Sequence, residues 1–131
     1  MIEISVVPGI AFISAGFPSP AEDFTELSIS LDAHLIQNPS ATFMAYANGS
    51  SMVRVGIHHG DILIIDRSLN ARDGDIIIAV LYGEFTVKQL SIINDTFFLI
   101  PKNPQHSPVE ILDDMDFEIW GVVIYSIRKH R

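Results

Sequence analysis

Cysteine is absent from this 131-residue sequence. No disulfide framework and no thiol chemistry is open to it, which fits a cytoplasmic setting. Positive charge is scarce: eight Lys and Arg stand against sixteen Asp and Glu, a formal net charge of −8. A domain so acidic repels phosphate, so direct DNA binding is not expected and a protein partner is the better expectation. The clustered basic residues are the last few, Arg128-Lys129-His130-Arg131, which read as a solvated tail. Apolar runs are short; Ile76-Ile77-Ile78-Ala79-Val80-Leu81-Tyr82 has the length of a strand, not of a membrane span. No Lys or Arg precedes Arg54, Glu3 stands near the start and Pro8-Gly9 interrupts the first apolar run, all against a cleaved leader. Phosphate-cradling glycine motifs are missing, since Gly74 and Gly83 stand alone. His58-His59 are adjacent and lack metal-ligand spacing, and Asp113-Asp114-Met115-Asp116 has no calcium-loop glycine. No metal and no cofactor are expected.

What is present is enough for a core. Hydrophobic residues make up 48% and charged residues 18%, in a length suited to one domain. Residues 1–20 carry Pro8, Gly9, Gly16, Pro18 and Pro20 and read as an extended arm; residues 21–131 read as the domain. Ser30 to Gln37 suits a short helix with Ser30 as N-cap, ended by Asn38-Pro39. Strands are expected at Thr42 to Ala47, Ile62 to Asp66, Ile76 to Leu81, Glu84 to Leu90, Thr96 to Ile100, Val109 to Leu112 and Phe117 to Ile127. Tyr82-Gly83 is the expected tight hairpin. Short strands at this spacing predict a mainly-β, sandwich-like or partly closed single domain.

Three stretches carry chemistry. After the first strand comes Asn48-Gly49-Ser50-Ser51-Met52, where a glycine permits a sharp turn and a serine can stand exposed among backbone N–H groups. Such a turn is more often only a turn. The second stretch is Glu84-Phe85-Thr86-Val87-Lys88-Gln89-Leu90, with Phe85 and Val87 on one face and Thr86, Lys88 and Leu90 on the other. Of the three lysines, Lys88 alone lies inside an apolar strand. A buried lysine loses its proton readily and can then serve a serine as general base; an edge strand showing a lysine to solvent is the plainer alternative. The third stretch is Ser14-Ala15-Gly16-Phe17-Pro18-Ser19-Pro20, where Ala15-Gly16 is a sterically open peptide bond on a proline-flanked arm. A Ser-His-Asp triad of Ser51, His58 or His59, and Asp61 or Asp66 is a competing arrangement.

Ala15-Gly16, Gly49-Ser50-Ser51-Met52 and Phe85-Thr86-Val87-Lys88, in this order and spacing, resemble the LexA/UmuD family of self-cleaving proteins, and most of all its UmuD-like SOS mutagenesis branch. Leu35-Ile36-Gln37, Asn38-Pro39-Ser40-Ala41-Thr42 and Gly121-Val122-Val123-Ile124 extend the resemblance to the C-terminus. It implies the β-fold of the family's C-terminal domain, with Ser51 as nucleophile, Lys88 as general base and Ala15-Gly16 as the bond cut. Bringing a lysine from about 10.4 to ~7 for that work takes about 4–5 kcal/mol, which burial can supply. The resemblance further implies stimulation by a RecA filament on single-stranded DNA, a homodimer, and a UmuC-like Y-family polymerase as partner in lesion bypass. Three departures stand out. The bond is Ala-Gly where UmuD-type members have Cys-Gly, Ser50 stands in place of an Asp, and the arm before the cut is expected to be shorter. No helix-turn-helix pattern precedes the domain as in the repressors. Val122-Val123-Ile124 is a candidate to pair at a sheet edge across the dimer, the alternative being that this strand is buried within one sheet. The second function class is a non-catalytic acidic β module that binds a polymerase or a filament.

Overall fold

The structure is a computed structural model in which residues 30–131 are described. The expected arm over residues 1–20 and the Ala15-Gly16 bond lie outside the described residues. The chain divides into two units, Met1–Gln37 and Asn38–Arg131. Of the first, residues 30–37 are described and hold one short helix, α1 (Leu31–Leu35). The Ser30 hydroxyl accepts the Ala33 N–H at 3.3 Å, the cap expected from the sequence. The helix stops at Leu35, sooner than expected.

The second unit is one antiparallel sheet of seven strands. They are β1 (Thr42–Tyr46), β2 (Ile62–Asp66), β3 (Ile76–Leu81), β4 (Glu84–Ile93), β5 (Thr96–Ile100), β6 (Val109–Glu110) and β7 (Phe117–Ile127), in the order β1-β2-β7-β3-β4-β5-β6. The expected mainly-β domain is what forms, as one sheet rather than two stacked ones. Tyr82-Gly83 is the tight turn joining β3 to β4, with φ of 50° and 79°. Asn94-Asp95 makes a second such turn between β4 and β5, with φ of 50° and 63°. A two-residue turn with both φ positive is of the type I′ kind, and Asn and Asp adopt that conformation more easily than most residues.

Both faces of the sheet are apolar, which is why its central strands run hydrophobic at successive positions. Leu63, Ile65 and Ile78 pack on one face with Ala47, Met52 and Ile57 from the loop that joins β1 to β2. Ile77, Ala79, Leu90, Leu99 and Val122 pack on the other. β7 carries an extra residue at two places, Trp120 against β3 and Ile124 against β2. A bulge of this kind re-aims a side chain and sharpens the local bend. Trp120 is turned toward Phe43 and Phe85, with ring centroids 5.3 and 5.8 Å away in edge-on geometry. Its neighbour Gly121 lies so close to β2 that a Cβ there would come within 2.6 Å of Ile65 Cγ2.

One expectation is overturned. β7 lies between β2 and β3, so Val122-Val123-Ile124 has strand neighbours on both sides and offers no free edge. Its β-branched residues answer to burial within the sheet rather than to a dimer contact. Among the described strands the edges are β1 and β6. Among the described residues no helix is long and apolar enough to cross a membrane.

Candidate active site

β1 ends at Tyr46, and Ala47 keeps the chain against the start of β2: its N–H donates to Asp61 O at 2.8 Å and its carbonyl accepts the Gly60 N–H at 2.8 Å. Gly49 then takes φ +98°, a conformation that a side chain would strain. Its N–H donates to His59 Nδ1 at 3.1 Å. Ser50 and Ser51 follow, and Met52, only 2% exposed, drives the chain back into the core. A 3-10 turn, Val53–Val55, closes the loop and ends at the left-handed Gly56. Ser51 therefore sits half-buried between a glycine turn and a core anchor, with little freedom of its own.

Lys88 reaches this point from β4. β5 pairs with β4 only from Gln89, opposite Ile100, because Pro101 follows and has no N–H to give. The stretch Glu84–Lys88 is thus held by β3 alone among the described strands, and its outer edge faces the nucleophile turn. Lys88 Nζ lies 3.2 Å from Ser51 Oγ, 2.7 Å from Thr86 Oγ1 and 3.1 Å from Val87 O, donating to all three as drawn. Burial lowers the amine's pKa from the ordinary lysine value; among the described residues no carboxylate is bonded to it to hold the proton in place. A cleft of about 310 Å³ opens beside Ser51, walled by Met44, Ala47, Met52, Phe85 and Trp120. The ammonium has three hydrogens for three acceptors. When the amine is neutral, Thr86 Oγ1 and Val87 O can take the two that remain, and the lone pair is left for the Ser51 hydroxyl. A serine in this setting can lose its proton to the amine as it attacks an acyl group lodged in the cleft.

The residues of the competing triad are occupied elsewhere. His59 accepts from Gly49, and His58 is in contact with Arg128. Asp61 is bound by Arg128 Nε at 3.1 Å and Nη2 at 3.0 Å and by the His58 N–H at 2.8 Å; these bonds lower its pKa to about 2. Asp66, 2% exposed, takes the Asn38 amide at 2.8 Å and the Ser68 hydroxyl at 2.6 Å, which hold it below the usual carboxylate range. Both carboxylates are structural clasps at the two ends of β2.

Of the four site residues expected from the sequence, the structure brings Ser51 and Lys88 together; Ala15 and Gly16 lie outside the described residues. Thr86 was visible as a same-face neighbour of Lys88, and the period of two along a strand was the signal that it could reach the amine. Asn103 gave no such signal. Its Nδ2 donates to Ser50 O at 2.8 Å from a loop 53 residues away.

The Peptidase S24-like family matches residues 7–124. The chain is 42% identical to the protein MucA of Salmonella typhimurium over 120 residues, covering 90% of this chain and 81% of that protein. It is 43% identical to the protein SamA of Salmonella typhimurium over 117 residues, covering 89% and 81%. It is 33% identical to the LexA repressor of Stenotrophomonas maltophilia over 125 residues, covering 95% of this chain but 59% of the repressor. The chain belongs to the Peptidase S24-like family of self-cleaving serine peptidases and stands with its UmuD-like SOS mutagenesis members.

Proposed function

We propose that this protein cuts its own Ala15-Gly16 bond, with Ser51 as nucleophile and Lys88 as general base. Residues 1–20 are the arm that is cut and residues 21–131 the peptidase domain that cuts it. The observation that carries this reading is the 3.2 Å approach of Lys88 Nζ to Ser51 Oγ, with the lysine's pKa lowered by burial. The neutral amine takes the Ser51 proton as Oγ attacks the Ala15 carbonyl carbon. The tetrahedral oxyanion collapses, the C–N bond breaks, and Lys88 returns the proton to the departing Gly16 amine. Lys88 then deprotonates a water that hydrolyses the Ala15–Ser51 ester. The outer edge of β4, which no described strand pairs with before Gln89, and the apolar cleft beside it favour an extended arm as substrate, and Gly16 lets the backbone come close to Ser51.

On the same reading the cut is stimulated by a RecA filament on single-stranded DNA, in the cytoplasm. The shortened homodimer then serves a UmuC-like Y-family polymerase in lesion bypass. Membership of the family supports this part. A filament need supply no catalytic group; it has only to favour the conformer in which the arm reaches Ser51.

Purified protein is incubated from pH 7 to pH 11, with and without RecA filament, and its mass and new N-terminus are determined. The product should begin Gly16-Phe17-Pro18, and the spontaneous rate should climb with pH and level off below 10.5, the ordinary lysine value. A product starting elsewhere sinks the assignment of the bond, and no product under any condition leaves the binding module as the better reading. Sedimentation at micromolar concentration tests the dimer, which a purely monomeric profile contradicts.

A further inference from the structure

The loop after β5 grips the nucleophile turn from behind. Lys102 O accepts the Arg54 N–H at 2.8 Å, and the next residue, Asn103, donates through Nδ2 to Ser50 O at 2.8 Å. The same Nδ2 lies 3.4 Å from Ser50 Oγ, a weaker contact. The other end of the Asn103 amide, Oδ1, accepts the Gln105 N–H at 2.9 Å, which turns the loop back on itself. One half-buried side chain therefore does two separable things: its oxygen shapes its own loop, and its nitrogen holds the carbonyl just before the nucleophile.

That carbonyl belongs to the peptide unit joining Ser50 to Ser51. The unit is planar and trans, so its C=O and its N–H point in opposite directions. Pulling Ser50 O toward Asn103 aims the Ser51 N–H away from that loop. Ser50 O is also shared with the Val53 N–H, but at 3.4 Å, a weaker hold. Neither the Ser51 nor the Met52 N–H finds a backbone carbonyl among the turn and loop bonds of the described residues. A backbone N–H without a partner, fixed next to a nucleophile, is what an oxyanion needs, and its value rests on its being aimed before the reaction begins.

Resting on the assignment of Ser51 as nucleophile, we infer that Asn103 is a positioning residue that aims the Ser51 N–H at the developing oxyanion. It touches neither substrate nor the reacting atoms. Its action on the rate passes through the rigid Ser50–Ser51 peptide.

The two ends of the amide give the test. Asn103→Asp keeps an oxygen to accept the Gln105 N–H and loses the donor to Ser50 O. Asn103→Ala loses both. Self-cleavage of the full chain is followed as a first-order rate from pH 7 to pH 11, beside wild type and Ser51→Ala, with thermal unfolding of each variant. Removing an oxyanion donor outright costs about 10²–10³-fold, so misaiming one should lower the plateau rate about 10–100-fold. Both Asn103 variants should show this drop, with the pH midpoint of the Ala variant unmoved because Lys88 is untouched. If the residue only shapes its loop, Asn103→Asp will cleave at the wild-type plateau while Asn103→Ala is impaired, and the inference is overturned. If both variants match wild type it is overturned as well. If wild-type protein does not cleave itself, or Ser51→Ala still does, the nucleophile assignment has failed and the inference goes with it; wild-type cleavage that Ser51→Ala abolishes separates the two cases.

Discussion

The two faces of the sheet are built from the same kinds of residue and end differently. On one face Ile77, Ala79, Leu90 and Leu99 are no more than 1% exposed, with Phe97, Ile111 and Phe117 packed against them. On the other, Leu63 and Ile65 are as well buried, yet Phe43 and Phe85, both against Trp120, remain 44% and 64% exposed, and Phe85 walls the cleft beside Ser51. The closed face has used its apolar surface for stability. The open face has kept part of its own in water, which costs stability and leaves room for a chain to lie down. The lesson is that the sealed face should answer to substitution in stability, and the cleft and the β4 edge beside Ser51 in chemistry.

The largest expected effect separates the two without touching the fold. Ser51→Ala and Lys88→Ala should each lose about 10⁴-fold or more of the self-cleavage rate at every pH, with unfolding curves close to wild type. Lys88→Arg should be as inactive, since a guanidinium stays protonated. Mass spectrometry over a day at pH 10 is sufficient to read this. Appreciable cleavage by Lys88→Arg would falsify the pairing of Ser51 with Lys88.

On the closed face, Leu99→Ala should cost about 2–5 kcal/mol, the range for a large side chain removed from a packed core. Phe85→Ala, on the open face, should cost about 1 kcal/mol or less, chiefly its edge-on contact with Trp120. Urea unfolding of both variants in a Ser51→Ala background gives the two values directly. Equal losses would mean that the open face is as much core as the closed one.

Gly121 joins the faces, because it is where β7 passes closest to β2. A methyl group there meets Ile65 Cγ2 at 2.6 Å, and Ile65 is itself 2% exposed and β-branched, with little room to turn. Gly121→Ala should therefore destabilise by about 1–3 kcal/mol through overpacking. Its effect on cleavage should follow stability alone; a variant stable yet inactive would show that β7 also shapes the cleft.

Much of this was legible in the residues. The strands of Ile62–Asp66, Ile76–Leu81, Thr96–Ile100 and Phe117–Ile127 fall where β-branched runs and turn residues place them. Lys88 stood out because one charge inside an apolar strand demands a reason. What stayed hidden was sheet order. Val122-Val123-Ile124 is equally apolar whether it lies at an edge or between two strands, and only long-range pairing decides. The bonds of Asn103 and His59 to the nucleophile turn were hidden for the same cause: exposed polar residues in loops show no period that betrays what they touch.

The smallest expected effect runs against the usual direction. In the unfolded chain Lys88 titrates at the ordinary value of 10.5; in the fold, burial lowers it. Between those two values the unfolded chain binds more protons than the folded one, so Lys88 makes stability rise with pH across that window. Below the folded value the amine is charged in both states and its burial penalty is present in full; above 10.5 it is neutral in both and the penalty is gone. Lys88→Met removes the charge while keeping an apolar stem of similar length, so it should stabilise the Ser51→Ala protein at pH 7 and leave it unchanged or slightly weaker near pH 11. The gain should be on the order of 1 kcal/mol or less, since a half-buried amine is still partly screened by water. Thr86 Oγ1 and Val87 O lose a donor in the exchange, but both lie at the open edge of β4, where water can replace it. Urea midpoints of Ser51→Ala and Ser51→Ala/Lys88→Met at the two pH values isolate the term, because every other titrating group is common to both. A double variant that is less stable at pH 7 would place Lys88 with Leu99, as a residue kept for the fold, and would remove the ground for regarding its amine as a group held for chemistry against stability.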